Sequence, residues 1–207
     1  MLEDPRPNDV PWRDARWVPI DSVALQHEDI VLRAVVESDA SALFRVLDVD
    51  DCWRHVAGRP GSVEALLATI RSAGASGRHM WVVERRGVIV GTTSFLDVAV
   101  NDARLEIGST MYVPSEWGTD LNPTCKYLLM SYAFGELGMG RVQLKTDIRN
   151  VRSRNAIERL GARFEGVLRR YQRRADGTMR DTVLYSVTAE DWPVVRDGLI
   201  SRMRPTD

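Results

Sequence analysis

Hydrophobic and polar residues alternate along several short stretches of the chain, and this two-residue spacing predicts β-strands. The predicted strands are 30–35, 80–84, 88–96, 105–112, 142–147, 162–171 and 179–187. Apolar residues at three- and four-residue spacing predict helices that begin near 38, 62, 122, 150 and 191. The resulting order, β-α-α-β-β-β-α-β-α-β-β, predicts an α/β (α+β) fold with one mixed sheet of about seven strands flanked by helices. That sheet should be mostly antiparallel first and parallel in the middle.

The chain divides into two predicted parts. Residues 1–28 are rich in proline, aspartate and tryptophan and show no periodicity, which predicts an extended N-terminal arm. Residues 29–203 carry the periodic segments and predict a single domain, and 207 residues are enough to bury a core. Because indole rings are poorly accommodated in water, we expect Trp12 and Trp17 to pack on the domain or on a neighbouring subunit.

Positive and negative charges nearly cancel over the whole chain, but basic residues are concentrated in its C-terminal third. Hydrophobic residues make up 44% and charged residues 28%, with a formal net charge of -1, so composition indicates neither nucleic acid nor an anionic membrane as a partner. Twelve basic side chains lie between Arg141 and Arg180, however. They are either the solvated faces of a helix and a hairpin or a basic rim for a phosphorylated cofactor or acidic partner.

The positions of cysteine and histidine and the lengths of the apolar stretches argue against several other classes of protein. Cys52 and Cys125 fit neither a disulfide framework nor a metal-ligand cluster, so we expect no metal site. The three histidines (His27, His55 and His79) show no nucleophile–base pattern. No stretch approaches the roughly 18 apolar residues that a membrane span needs, and the N-terminus lacks a signal-peptide pattern. We therefore expect a reduced, cytoplasmic protein.

A candidate anion site follows the strand at 105–112. Asn122-Pro123 predicts a helix start, with asparagine as the N-cap and proline at the first helical position. Gly118 gives the preceding loop conformational freedom, Thr119 adds a hydroxyl, and Lys126 lies one turn into the helix. Free backbone N–H groups and the positive end of the helix dipole favour an anion there. The loop matches neither a P-loop nor a dinucleotide fingerprint.

The strand at 105–112 also carries a carboxylate among β-forming residues. Strict alternation predicts that Leu105, Ile107, Ser109 and Met111 face one way and that Glu106 faces the other. Glu106 is either a functional carboxylate or an edge-strand charge that faces water.

Four motifs occur in sequence order and together carry a family resemblance. They are Glu106-Ile107-Gly108, Trp117-Gly118-Thr119-x-x-Asn122-x-x-x-Lys126, Leu144-Lys145-Thr146-Asp147-x-x-Asn150-x-x-Ser153 and Ala156-Ile157-Glu158-Arg159-Leu160-Gly161-Ala162. In this combination the chain resembles the GNAT superfamily of acyl-CoA-dependent N-acyltransferases over roughly residues 28 to 190. The branch it resembles includes the ribosomal-protein N-terminal acetyltransferases.

The resemblance implies that acetyl-CoA is the co-substrate and that two parallel strands splay near Met111 and Thr146 to hold its thioester. It also implies a backbone contact to the pantetheine, a phosphate cradle in the loop and a hydrogen bond from the next helix. The residues it assigns to cofactor binding are Met111, Val113, Gly118, Thr119, Leu121, Asn122, Lys126, Thr146 and Asn150.

Two departures from the family pattern stand out. The usual loop, Gln/Arg-x-x-Gly-x-Gly/Ala, is replaced by Trp117, Asp120 and Asn122 at its three specified places, so the Asp120 carboxylate should point away from the phosphates. Many relatives also place a tyrosine on the last core helix to protonate the leaving thiolate, and Ile157 stands at that position here. Ser153 could donate this proton instead, or the thiolate could leave without a protein acid.

The resemblance implies transfer of an acetyl group from acetyl-CoA to a primary amine by direct attack in a ternary complex, with Glu106 as the base. The acceptor is a protein N-terminus or a small-molecule amine, read by the arm, the 48–62 loop and the 165–180 hairpin. The longer 162–187 hairpin and the arm are also candidates for a homodimer contact. Two alternatives stay open: a non-catalytic CoA-binding regulatory module, and an RNA- or ribosome-binding protein that uses the basic run from Arg149 to Arg174.

Overall fold

An eight-stranded sheet forms the centre of the computed structural model, which describes residues 11–12 and 14–203. The strands are β1 (Ala24–His27), β2 (Ile30–Ala34), β3 (His79–Arg85), β4 (Val88–Ala99), β5 (Arg104–Tyr112), β6 (Arg141–Asp147), β7 (Arg163–Arg173) and β8 (Met179–Thr188). The helices are α1 (Ala40–Leu47), α2 (Asp50–Trp53), α3 (Val63–Ala73), α4 (Leu121–Ser131), α5 (Val151–Arg159) and α6 (Trp192–Met203). A π-helical turn, Tyr132–Glu136, extends α4.

The strand order across the sheet is β1-β2-β3-β4-β5-β6-β8-β7. Among these described strands only β5 and β6 pair in parallel, and the other neighbours are antiparallel. The predicted mixed α/β sheet is confirmed, with one strand more than expected. That strand, β1, lies at the end of the predicted arm, where His27 pairs with Ile30 across a tight turn. Its side chains are exposed or half-buried, which explains why the hydrophobic pattern did not indicate it.

Two apolar layers cover the two faces of the sheet. One contains Trp81 and Phe95, whose rings meet edge to face at 5.7 Å, together with buried apolar residues of α4 and α6 such as Leu129 and Leu199. The other lies beneath α1 and α3 and contains Leu43, Leu66 and Met80. Burying apolar area on both faces stabilises the domain by roughly 25 cal/mol per Å² removed from water. The helices therefore hold the sheet between two layers.

A β-bulge in β5 reverses the side chains that follow it. Ser109 has a φ of +47°, and the register against β4 shifts at the same place. Leu105 and Ile107 share one face of β5, as predicted, and lie in the α4 layer. Met111 lies in the opposite layer with the residues of α1 and α3. The prediction that Met111 shares a face with Leu105 is wrong, because a bulge inserts one residue and breaks strict alternation.

The start of α4 also differs from the prediction. The helix begins at Leu121, with Asp120 at the N-cap, so Asn122 is the second helical residue and does not cap the helix. Thr119 Oγ1 instead accepts a hydrogen bond from the backbone N–H of Leu121 at 3.2 Å. At α5 the expected cap is present, since Asn150 Oδ1 accepts from the N–H of Ser153 at 3.1 Å.

The described part of the predicted arm packs on the domain. Trp12 Nε1 donates to the carbonyl of Gly138 at 3.0 Å, and the backbone N–H of Arg16 donates to Leu137 at 2.9 Å. The ring of Trp17 lies 4.3 Å from that of His79. Residues 1–10 and 13 of the arm lie outside the described residues. Among the helices described, none combines the length and apolar character needed to cross a bilayer.

Candidate active site

The two parallel strands separate soon after they pair. β5 and β6 are in register only from Arg104 opposite Arg141 to Glu106 opposite Gln143. Beyond these positions the strands diverge, and a cleft of about 760 Å³ opens between them and the N-terminal ends of α4 and α5. This volume is within the range of small-molecule and cofactor sites. The predicted splay is therefore present, and it begins just past Glu106.

Most of the residues that the sequence assigned to a site line this cleft. They are Glu106, Met111, Gly118, Thr119, Asn122, Lys126, Thr146, Asn150 and Ser153. Val113 and Leu121 do not line the cleft. Val113 donates its N–H to Val90 and accepts from Glu116, while the N–H of Leu121 is bound to Thr119 Oγ1. The backbone N–H groups of both residues therefore already have protein partners, and their expected part in cofactor binding stays a prediction.

The loop before α4 offers free donors to an anion. Gly118 adopts a φ of +82°, which glycine reaches without strain. Throughout the described chain, no acceptor is found for the backbone N–H groups of Gly118 and Asn122, and both residues line the cleft. Two unpaired N–H groups at a helix N-terminus fit the phosphates of a coenzyme A. The Asp120 carboxylate is held by Arg85, which also pairs with Glu116 at 2.6 Å, so it points away as expected.

Lys126 is placed differently from the expectation. Only 4% of its surface is exposed, and Nζ donates to Thr110 Oγ1 at 3.1 Å; that hydroxyl in turn lies 2.7 Å from Thr93 Oγ1. No carboxylate of the described residues pairs with this ammonium group. Burial lowers the pKa of Lys126 to about 8. The side chain therefore reaches inward toward β5 from the floor of the cleft and does not extend along the loop.

The start of α5 forms the opposite wall. Asn150 uses its carboxamide oxygen to cap the helix, and its NH₂ group finds no protein acceptor among the residues described. Ser153, one turn further on, also lines the cleft, and its hydroxyl has no hydrogen-bond partner within that same part of the chain. Ile157, at the position where the family resemblance predicts a tyrosine, is buried and lines the cleft as well. The wall thus offers an amide donor and a hydroxyl.

Glu106 lies at the mouth of the splay with a cationic partner. Its Oε2 is 2.9 Å from Nζ of Lys145 on β6, and only 8% of the residue is exposed. Burial raises the pKa of Glu106, and the hydrogen bond from Lys145 offsets part of that rise. A Cβ at Gly108 would lie 2.8 Å from Glu106 Oε1, so this glycine makes room for the carboxylate. The water-facing interpretation of Glu106 is therefore wrong.

Two further pairs in the cleft have no counterpart in the sequence reasoning. Asp147, 1% exposed, is held by Arg174 at 2.6 and 3.0 Å and by the N–H of Arg149 at 3.0 Å. The guanidinium of Arg152 lies 3.4 Å from the ring centroid of Trp117, a cation–π contact between α5 and the loop before α4. Arg174 belongs to the basic run, and Asp147 therefore neutralises part of that run.

A second, smaller cavity of about 90 Å³ lies under α1 and α3 beside the cleft. It shares Ser109 and Met111 with the cleft, so the two spaces meet at the β5 bulge. Within the described chain, no group of three or more His, Cys, Asp or Glu side chains is placed to hold a metal ion.

A parallel strand pair that splays beside a helix start with free N–H groups is the arrangement expected from the family resemblance. Residues 29–163 match the family model described as acetyltransferase (GNAT) domain. The chain belongs to this GNAT acetyltransferase family.

Known proteins resemble the chain over most of its length. The uncharacterized N-acetyltransferase YoaA of Bacillus subtilis (strain 168) is 28% identical over 170 residues, which are 79% of this chain and 95% of YoaA. A crystal structure from T. thermophilus, provisionally assigned as an acetyltransferase, is 35% identical with a TM-score of 0.81 and covers 87% of this chain and 97% of that one. Mycobacterium smegmatis RimJ in complex with CoA-disulfide has a TM-score of 0.74 at 23% identity, covers 86% of this chain and 92% of RimJ, and shows the fold alone.

Proposed function

We propose that the protein is an N-acetyltransferase that moves the acetyl group of acetyl-CoA to a primary amine by direct attack in a ternary complex. The observation that carries this proposal is the position of Glu106, a buried carboxylate at the mouth of the splay between β5 and β6. Membership of the GNAT acetyltransferase family supports it.

The cleft supplies groups for each part of the donor. The free N–H groups of Gly118 and Asn122 would hold the pyrophosphate, with the hydroxyl of Thr119 nearby. Met111 on β5 and the carboxamide NH₂ of Asn150 would hydrogen-bond the pantetheine arm. Thr146 on β6 forms the other side of the slot for the thioester. The complex of RimJ with CoA-disulfide is consistent with such a cleft in this fold.

The proposed chemistry follows from these positions. The carboxylate of Glu106, directly or through a water molecule, takes the proton that the attacking amine must lose. A C–N bond forms as the thioester carbonyl becomes a tetrahedral oxyanion, which a backbone N–H at the splay stabilises. The C–S bond then breaks, and the thiolate takes a proton from Ser153 or from solvent. Raising the pKa of Glu106 by burial makes it a stronger base at neutral pH.

The acceptor is proposed to be a primary amine of a small molecule or of a protein N-terminus. A protein N-terminus is the acceptor that corresponds to the ribosomal-protein branch, which the motifs resemble.

The expected location is the cytoplasm. A homodimer through the edge strand β7 is also proposed, since Phe164 and Tyr171 on that strand are exposed.

The test is a free-thiol release assay with acetyl-CoA and longer acyl-CoAs against a library of amines and N-terminal peptides. Binding of acetyl-CoA is measured separately by calorimetry. Release that depends on an amine, and that Glu106→Gln abolishes while donor binding persists, supports the proposal. Tight donor binding without transfer to any amine would identify a non-catalytic module. Salt-dependent RNA binding without affinity for coenzyme A would identify a nucleic-acid-binding protein.

A further inference from the structure

The smaller cavity carries a second inference, which concerns the acceptor. This cavity of about 90 Å³ lies between the helices α1 and α3 and the strands β3, β4 and β5. Most of its wall is apolar and includes Leu43, Leu47, Trp53, Met80 and Met111. A space of this size admits several water molecules or a small aliphatic group.

The cavity opens at the point where acyl transfer is proposed. It shares Val56, Ala57, Ser109 and Met111 with the large cleft. Ser109 is the bulged residue of β5, and the bulge turns Met111 toward this side of the sheet. Glu106 and Gly108 precede the bulge and also line the cleft. A molecule seated in the cavity can therefore extend an amine past the bulge toward the thioester slot.

One strong charge lines the cavity without an ionic partner. Arg78, the residue before β3, donates from Nε to Ser94 Oγ at 3.0 Å, and Ser94 is fully buried. No carboxylate of the described residues forms a salt bridge with its guanidinium. By contrast, Arg33 and Arg85 each pair with two or more carboxylates. Partial burial lowers the pKa of Arg78, as expected for a cation that has no carboxylate partner.

The remaining acid in the wall cannot compensate Arg78. Asp48 also lines the cavity, but both nitrogens Nε and Nη2 of Arg59 bind its Oδ1, at 3.0 and 2.6 Å. Arg78 is half-buried, and its terminal nitrogens are open to a ligand. A guanidinium partly shielded from water beside apolar side chains is stabilised when an anion pairs with it. Arginine is suited to bind an anionic ligand, because its planar guanidinium binds a carboxylate through two parallel hydrogen bonds.

We propose that this cavity is the acceptor subsite and that the acceptor is a small amine bearing a carboxylate, of the amino-acid class. Its carboxylate pairs with the free nitrogens of Arg78, its aliphatic part contacts Leu43, Leu47 and Met80, and its amine faces the cleft. This assignment rests on the proposed function and adds the substrate class. A cationic amine, such as a polyamine, would place like charge beside Arg78 and is disfavoured there. A peptide N-terminus has an amide in place of the α-carboxylate and lacks this contact.

The experiment compares matched pairs of acceptors: each L-amino acid with an apolar side chain, its amide, and the amine without the carboxylate. Initial rates of thiol release from acetyl-CoA give kcat and KM for each compound, and calorimetry in the presence of coenzyme A gives binding without turnover. We expect the acids to exceed their amides by about 10- to 100-fold in kcat/KM, the range expected for one hydrogen-bonded charge pair.

Arg78→Met should remove this preference by raising KM for the acids, while rates with the amides change by less than about threefold. Arg78→Lys should retain part of it, and Ser94→Ala should weaken it by freeing the guanidinium to rotate. Arg71→Met, on the exposed face of α3, is the matched control and should leave the preference intact.

The outcomes separate this inference from the proposed function. Amides that match their acids, or peptides with an acidic residue that surpass free amino acids, would overturn the inference while leaving an acetyltransferase. Calorimetric binding of the acids that Arg78→Met abolishes, without any acetyl transfer, would uphold the anion subsite and overturn the proposed function. No binding and no transfer of any acid would overturn the inference.

Discussion

The carboxylate of Glu106 and the ammonium of Lys145 form an ion pair of 2.9 Å across the parallel strand pair of the sheet. Lys145 also donates to Asp97 at 3.1 Å and to the hydroxyl of Tyr171 at 3.3 Å. Burial alone would lower the pKa of Lys145, but its hydrogen bonds to Glu106, Asp97 and Tyr171 and the charge of Glu106 together outweigh burial and raise the pKa. Lys145 therefore stays charged over the working pH range and keeps the proposed base ionised in a buried place.

Replacement of Glu106 by glutamine should reduce kcat/KM by about 10²- to 10⁴-fold, the usual contribution of a general base. The side chain keeps its shape, so acetyl-CoA should bind with nearly unchanged affinity. The acidic limb of the pH–rate profile, which reports the raised pKa of Glu106, should disappear. Thiol release from pH 5 to 9 measures both effects. An unchanged profile would remove Glu106 from the chemistry.

Replacement of Lys145 by methionine should move the acidic limb of the profile to higher pH. The hydrogen bond and charge of Lys145 lower the pKa of Glu106, so removing them leaves burial unopposed and the pKa rises further. The rate below the new pKa should fall, while the plateau at high pH is kept. Lys145→Arg retains the charge and should leave the limb near its original position. A limb that does not move in Lys145→Met would contradict this coupling.

Gly108→Ala tests the space that the carboxylate occupies. The new methyl carbon would lie 2.8 Å from both the Glu106 Oε1 oxygen and the Leu96 Cδ1 carbon, closer than a Cβ atom normally approaches any heavy atom. We expect Glu106 to be displaced and kcat to fall at least tenfold, with donor affinity preserved. Gly198→Ala on α6, where an added Cβ meets nothing within 4 Å, is the control. Equal activity in the two variants would show that the position of Glu106 is not critical.

Lys126→Met should stabilise the protein at neutral pH. The pKa of this lysine falls from 10.5 to about 8 on folding, so between these values the unfolded chain binds more protons. Stability therefore rises with pH from about 8 upward, and the full cost of burying the charge, up to about 3 kcal/mol, is present below 8.

Chemical denaturation of the two proteins between pH 6.5 and 8.5 measures this difference. The interval avoids the thiol of Cys125, whose pKa burial raises to about 11 and whose effect on stability has the opposite sign above pH 9. Arg45→Met, on the surface of α1, provides the control for loss of a cation. Calorimetry with acetyl-CoA shows in addition whether Lys126 contributes to donor binding. Destabilisation at pH 7 would contradict the assignment of an uncompensated buried charge.

Two substitutions at Asn150 separate its structural and binding roles. Asn150→Asp keeps an oxygen that can accept from the N–H of Ser153, so the α5 cap and the unfolding free energy should be preserved. Asn150→Ala removes the cap and should cost about 1 kcal/mol. Both variants lose the NH₂ donor, and both should bind acetyl-CoA more weakly by calorimetry. Full affinity in Asn150→Asp would exclude the carboxamide donor from the donor site.

The sequence predicted the fold class and the strand face on which Glu106 lies, because both depend on local periodicity, but it left open whether Glu106 faces water. The cap at Asn150 was equally local, since one side chain bonds an N–H three residues away. At Asn122 the same reasoning failed. Thr119 binds the N–H of Leu121 and so starts the helix one residue earlier. Asp120 is held by Arg85 of β3, a contact between distant parts of the chain.

Contacts between distant segments account for the remaining differences. The bulge at Ser109 depends on how β5 fits against β4, and no residue type at that position requires a positive φ. The sequence did not indicate a role for Arg78, because the argument for that role depends on which carboxylates form salt bridges in the folded protein, and none of the described residues forms one with Arg78. Asp147 and Arg174 are 27 residues apart in sequence and meet only after the β7–β8 hairpin folds.

Only a short parallel pairing joins the two halves of the described sheet. Three residue pairs connect β5 to β6, while β1 to β5 form one antiparallel ribbon and β6, β8 and β7 form the other. A pantetheine arm that lies in the gap beyond Glu106 would exchange hydrogen bonds with both edges, much as a missing strand would. The donor would then act as a reversible structural element, cross-linking the ribbons while it is bound and releasing them when coenzyme A departs.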